Sequence, residues 1–113
     1  MITGGARRLG HASALALAAA GADVVITYRD SAREARQTVT AIKAVGAAAL
    51  ALRCDVTDEA SVRGMVREVQ REFGRIDILL NNAANYNTAE FSKLTVAQWD
   101  AFFASNVRGP FLV

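Results

Sequence analysis

The chain has 113 residues, enough for one small domain, and its 52% hydrophobic and 21% charged content argues against a disordered or fibrous protein. The net charge is +2, with Lys and Arg mixed among Asp and Glu, which argues against a nucleic-acid partner. A lone Cys54 excludes an intrachain disulfide and metal-ligand spacing, and no run reaches the ~18 apolar residues of a membrane span, so the expected setting is cytoplasmic with no membrane partner.

Met1, Ile2 and Thr3 read as the end of a strand that runs into the turn Gly4-Gly5-Ala6-Arg7-Arg8 and an Ala-rich helix over 9–20. Gly21 ends that helix, and the β-branched run over 23–28 predicts a second strand, closing a βαβ unit. Ser31 with Glu34 predicts a capping box that opens a helix to about Val45, with Gly46 at its end and a third strand over 47–53. Thr57 or Asp58 then caps an amphipathic helix whose Val62, Met65, Val66, Val69 and Phe73 recur at helical spacing up to Gly74. Residues 76–81 predict a fourth strand.

After Asn82-Ala83-Ala84 and a polar loop, Thr95 with Gln98 predicts a second capping box. The helix it opens carries Trp99, Phe102, Phe103 and Val107, and its three aromatics with Phe91 read as packing residues. The lone histidine, His11, reads as a helix-surface residue. Pro110 has no N–H for the carbonyl of Asn106, so the helix is expected to kink there and free that carbonyl, or else to end near Gly109.

Strands and helices in regular alternation predict an α/β fold: a Rossmann-type doubly wound parallel sheet with helices on both faces. Both ends read as cut, since the first strand offers three residues where ~5–6 are usual and the last helix is still running at Val113. Residues 1–113 are therefore expected to be the N-terminal part of one dinucleotide-binding domain, its first four strands with the first truncated. Residues 76–80 would then form an exposed apolar edge that favours aggregation.

Gly4 and Gly10 bracket the first strand-to-helix turn, where glycine lets the backbone approach a pyrophosphate and a helix N-terminus supplies free N–H groups. A glycine pattern alone also fits a tight structural turn. Four ordered motifs add to it: Thr3-Gly4-Gly5-Ala6-Arg7-Arg8-Leu9-Gly10, Asp55-Val56, Asn81-Asn82-Ala83-Ala84 and Asn106-Val107-Arg108-Gly109. Together they resemble the short-chain dehydrogenases/reductases over essentially the whole chain. The resemblance implies that the Thr3 to Gly10 loop, with Arg7, Arg8 and Leu9, holds the pyrophosphate. It places Asp55 and Val56 beside the adenine, Asn82, Ala83 and Ala84 along the ribose, and Asn106 as a catalytic asparagine in a proton relay. Singly, Asp55 also reads as a turn cap, Asn82 as a strand-end turn and Asn106 as an exposed helix residue.

The sequence departs from the family's commonest pattern at Arg8 and Ala84, where smaller residues are usual. Arg8 and the run Tyr28-Arg29-Asp30-Ser31-Ala32 resemble the pteridine reductases and related carbonyl reductases. An NAD enzyme places a carboxylate at the end of the second strand for the ribose hydroxyl, whereas Tyr28 and Arg29 stand here with Arg7 or Arg8 nearby. Two guanidiniums could clamp a 2′-phosphate, so NADP(H) is expected in preference to NAD(H), with Asp30 pairing Arg33 or capping the helix. The resemblance implies an oxidoreductase moving hydride between nicotinamide and a carbonyl or activated double bond. It implies a 3-oxoacyl-thioester or pteridine-like substrate and a homo-oligomer at full length. The family's serine, tyrosine and lysine would lie after Val113, so 1–113 alone is expected to reduce no carbonyl. The alternative is a non-catalytic dinucleotide-binding or regulatory module.

Overall fold

The computed structural model describes residues 1–86 and 88–113. Two regular strands, β1 (Val24–Tyr28) and β2 (Ala49–Arg53), run parallel in a register from Val24↔Ala49 to Tyr28↔Arg53. Beyond β1 the sheet continues through single bridges, Ile2 pairing in parallel with Ile26 on one side and Leu80 on the other. The order across the sheet is thus β2, β1, Ile2, Leu80. The chain starts at the centre, winds outward and crosses back, as one half of a doubly wound fold does.

β1 is buried along nearly its whole length, which is why it reads as the continuous run Val-Val-Ile-Thr-Tyr and not as an alternating one. One face is covered by α1 (Arg8–Ala19) and α2 (Ala32–Ala44): Ala14, Ala18, Ala35 and Ile42 form a core with Ile2, Val24 and Ile26. Ala14 and Ala18 lie one turn apart, and their small size lets α1 sit close to the sheet. The other face is covered by α3 (Glu59–Phe73), where Val62, Met65 and Val69 recur at helical spacing and pack on Val25, Cys54 and Val56. Helices therefore lie on both faces, as the alternation of elements predicts. Gly21, Gly46 and Gly74 follow the three helices with φ of +91°, +91° and +76°, the left-handed conformation expected of them.

The predicted fourth strand is the largest difference. Of residues 76–81 only Leu80 bridges, donating its N–H to Met1 O and accepting from Thr3 N–H, while Ile76, Ile78 and Leu79 are exposed. A strand needs a ladder, and the three residues Met1 to Thr3 are its sole neighbour among the described residues. Ser31 holds the N-cap position of α2, yet its hydroxyl makes no capping bond, because its ψ of 52° is not the extended conformation that aims a side chain at the first turn. Asp58, by contrast, caps α3 by accepting from Ala60 N–H at 3.0 Å.

The Thr95–Gln98 capping box forms in full and opens α4 (Val96–Phe103). A π-helical turn follows over Ala104–Arg108, and then α5 (Gly109–Leu112). The expected irregularity at Pro110 takes the form of this wider turn upstream of it. Gly109 N–H bonds to Ala104 O five residues back, and Pro110 sits at the start of α5, where a missing N–H is tolerated. Nor do the aromatics pack as expected. Trp99 and Phe103 stack on each other at 4.8 Å but are about half exposed, and Phe91 is 91% exposed. Their face of the helix points away from the sheet, and among the described residues nothing lies over it. No helix is long and apolar enough to cross a membrane among the described residues.

Candidate functional site

The strand ends, the turn into α1 and the loops after β2 and Leu80 converge on a cleft of about 430 Å³, within the ~300–1,000 Å³ of ordinary ligand sites. A second cleft of about 390 Å³ lies at the opposite end of the strands, between Met1, Val25, Phe73 and Ile78. Of its charged residues, Arg75 and Asp77 pair with each other and Asp23 accepts Ala48 N–H at 2.8 Å, and the Gly4 to Gly10 turn does not line it. The first cleft is the one with chemistry.

Thr3 sits beneath its floor, 1% exposed, and its Oγ1 accepts the backbone N–H groups of Asn82 and Ala83, both at 3.0 Å. Asn82 Nδ2 in turn donates to Thr3 O at 2.9 Å and Gly4 O at 3.0 Å. Thr3 and Asn82 thus staple the glycine turn to the end of the fourth strand segment. The amide that the family resemblance directs to the ribose is here spent on the protein's own carbonyls. Thr27, buried in β1, secures the turn from the other side: Gly4 N–H donates to its Oγ1 at 3.3 Å and Gly5 N–H to its carbonyl at 3.0 Å. A polar residue inside an apolar strand was the signal for Thr27.

Glycine is required at two places in this turn. A Cβ on Gly5 would fall 2.5 Å from Ile26 Cγ2, and one on Gly10 would overlap Gly4 O and lie 2.7 Å from Asn82 Nδ2. Gly4 itself has φ +66°. Arg8 follows at φ +51°, a conformation that costs a non-glycine residue ~1–2 kcal/mol. Arg7 is the extended N-cap of α1; no side chain caps the helix and no acidic residue lies in its first turn. That leaves donors and positive dipole facing the cleft. The turn is therefore shaped as a diphosphate cradle would be, and it fits a dinucleotide on its own geometry.

On the outer rim, Tyr28 and Arg29 line the cleft with Arg7, Arg8 and Leu9. Asp30 pairs with Arg29, Nε to Oδ2 at 3.0 Å, and not with Arg33 as expected; Arg33 meets Glu34 at 3.7 Å. Adjacent exposed side chains form the first pair with the least loss of freedom. The Asp55 carboxylate accepts Thr57 Oγ1–H at 2.7 Å and Thr57 N–H at 2.9 Å. Those bonds, with the charges of Arg29 and Arg53 behind them, hold its pKa below the usual carboxylate value. Burial raises the thiol of Cys54 next to it.

Asn106 does not line the cleft, although its neighbours Ser105 and Asn85 do. Its carboxamide accepts from Asn85 N–H at 2.8 Å and donates to Asn85 O at 2.9 Å, while Ser105 Oγ donates to its Oδ1 at 2.9 Å. Arg108 Nη2 reaches Thr57 O at 2.9 Å, and Gly109 packs under Val56. The π-helical turn thereby ties the loop after β2 to the loop after Leu80. Sequence patterns gave no site role to Ser105, Asn85 or Thr57: the contacts of Asn85 with Asn106 and of Thr57 with Arg108 join distant parts of the chain, and Ser105 bonds only within its own helical turn and to Asn106. His11 is only half on the surface: its Nδ1 lies 2.8 Å from Thr38 Oγ1, whose proton goes to Ala6 O at 3.2 Å. No cluster of three metal-ligating side chains occurs among the described residues.

A family model described as short chain dehydrogenase matches residues 1–113. The chain is 43% identical over 110 residues to galactitol 2-dehydrogenase of Agrobacterium fabrum, covering 97% of this chain and 41% of that protein. It is 33% identical over 111 residues to the 3-oxoacyl-[acyl-carrier-protein] reductase FabG of Staphylococcus aureus, covering 98% and 45%. A solved short chain dehydrogenase from Burkholderia cenocepacia J2315 in complex with NADP superposes with a TM-score of 0.93 at 42% identity, over 98% of this chain and 46% of that one. The chain thus spans less than half the length of these relatives.

Proposed function

The chain belongs to the short-chain dehydrogenase family, and on that premise we propose that it is the cofactor-binding portion of an NADP(H)-dependent oxidoreductase acting on a carbonyl or its alcohol. The observation that carries the proposal is the stapled glycine turn: its uncapped helix and its required glycines face a cleft rimmed by Arg7, Arg8 and Arg29. A solved relative supports it, being a complex with NADP.

In this reading the Gly4 to Gly10 turn and the first N–H groups of α1 bind the diphosphate, and the base lies along Asp55 and Val56. Ala83 and Ala84 border the ribose, their small side chains leaving room for it. Bound there, the nicotinamide would supply the hydride. The chain's own task is to bind, orient and exclude water, with Asn106 holding the backbone of Asn85 in place at the inner end. Its part in a proton relay stays a proposal for the whole protein. So do a homo-oligomeric state, which the exposed stripe of Trp99, Phe103 and Val107 supports, and a cytoplasmic location. Relatives named both dehydrogenase and reductase support an alcohol–carbonyl pair as the substrate class.

Cofactor choice rests on Arg29. Its bond to Asp30 uses Nε and leaves both Nη groups for a phosphate. Binding is expected to be tighter for NADPH than for NADH, and Arg29→Asp to weaken NADPH by about tenfold or more, the worth of a charge-assisted hydrogen bond of ~1.5–3 kcal/mol. Fluorescence titration measures both constants. Equal dissociation constants for the two cofactors in the parent protein would contradict the proposal.

A further inference from the structure

Arg53 is the last residue of β2 and stands directly beside Tyr28 in the parallel register. Paired residues in neighbouring strands share a face, so the guanidinium rises on the same side of the sheet as Tyr28, at the carboxyl end and on the outermost strand. Its Nε donates to Arg29 O at 3.2 Å, which brings the side chain across the tip of β1. It forms no ion pair among the described residues, whereas Arg29 has Asp30 and Arg33 has Glu34. Arg29 lines the cleft and is already committed to a carboxylate, whereas Arg53, just outside the lining residues, is held in place by a neutral carbonyl.

We propose that Arg53 is a specificity-determining residue that binds the 2′-phosphate of an adenosine dinucleotide, acting beside Arg29. In a doubly wound sheet the adenosine ribose sits over the tip of the strand next to the centre, here Tyr28 and Arg29, and its 2′ substituent can point outward to the next strand. The tip of that next strand is Arg53. A phosphate dianion offers three oxygens, more than the two Nη groups of Arg29 satisfy, and a guanidinium fork held by its Nε still presents both of its own Nη groups. The combined field of the two arginines also reaches Asp55, two residues on.

This inference rests on the proposed dinucleotide reading, and its test separates the two. The parent protein, Arg53→Ala and Arg53→Gln are titrated calorimetrically with adenosine 5′-monophosphate and adenosine 2′,5′-bisphosphate, which differ only in the 2′-phosphate. The parent is expected to prefer the bisphosphate. Either substitution should weaken the bisphosphate on the order of tenfold and leave the monophosphate within about twofold, the loss of one charge-assisted bond. Equal weakening of both nucleotides would make Arg53 a mere support for the Arg29 backbone and overturn the proposal. Undiminished preference in the variants would overturn it while leaving the dinucleotide reading intact. No binding of either nucleotide by the parent would sink both. Should Arg53→Ala fail to fold, as judged by circular dichroism, Arg53→Gln carries the same comparison with a side chain of similar reach.

Discussion

Thr3→Val is expected to destabilise the protein by about 2–4 kcal/mol despite its near-identical shape. Thr3 Oγ1 is the acceptor for two backbone N–H groups, those of Asn82 and Ala83, and the side chain is buried. Valine fills the same space but accepts nothing, so both donors lose their partner at a cost of ~1–3 kcal/mol each, toward the low end because the site is only partly buried. Urea unfolding measures the loss, and Thr3→Ser, which keeps the oxygen, should recover most of it. A valine variant as stable as the parent would show that water satisfies these two groups as well as Thr3 does.

Gly10→Ala should have the largest effect on binding. Its new methyl would overlap the Gly4 carbonyl oxygen, a backbone atom that cannot move without the glycine turn moving too. Overpacking of this kind costs ~1–3 kcal/mol. The displaced turn should also lose one or two charge-assisted bonds to phosphate, about 10–100-fold in dinucleotide affinity. Gly64→Ala serves as the control. Its methyl would meet nothing nearer than Arg67 Nη2 at 3.9 Å, and in mid-helix the change should stabilise by ~0.5–1 kcal/mol. If both substitutions behaved alike, the tight approach at Gly10 would have no bearing on the site.

What could be read in advance followed local physics. The Thr95–Gln98 box, the glycines after α1, α2 and α3 and the stripe of Val62, Met65 and Val69 each depend on residues within two turns of one another. The glycine turn is legible for the same reason, as are Tyr28 and Arg29, the last residue of an obvious strand and the first beyond it. The staple between Thr3 and Asn82 spans 79 residues, and the clamp of Asn106 on Asn85 spans 21, so no spacing rule announces them. Residues 76–81 carry an apolar strand's composition, but pairing is a property of neighbours, and the neighbour is three residues long. Trp99, Phe103 and Phe91 illustrate the same limit, because helical spacing says which side chains share a face and not whether anything covers it. Arg53 was overlooked since nothing in its own strand distinguishes it from a solvated end residue. Only the register sets it beside Tyr28, which lines the cleft.

If the turn into α1 and the loop after Leu80 form one dinucleotide cradle, held together by Thr3 and Asn82, bound cofactor should protect both. Amide hydrogen exchange of the protein with and without saturating NADP⁺ measures this. Exchange is expected to slow at the backbone amides of residues 4–10 and 83–85 and to stay unchanged around Met1, Phe73 and Ile78, at the opposite cleft. Protection confined to that opposite cleft, or none at millimolar cofactor, would mean that the glycine turn and the loop after Leu80 do not hold the dinucleotide.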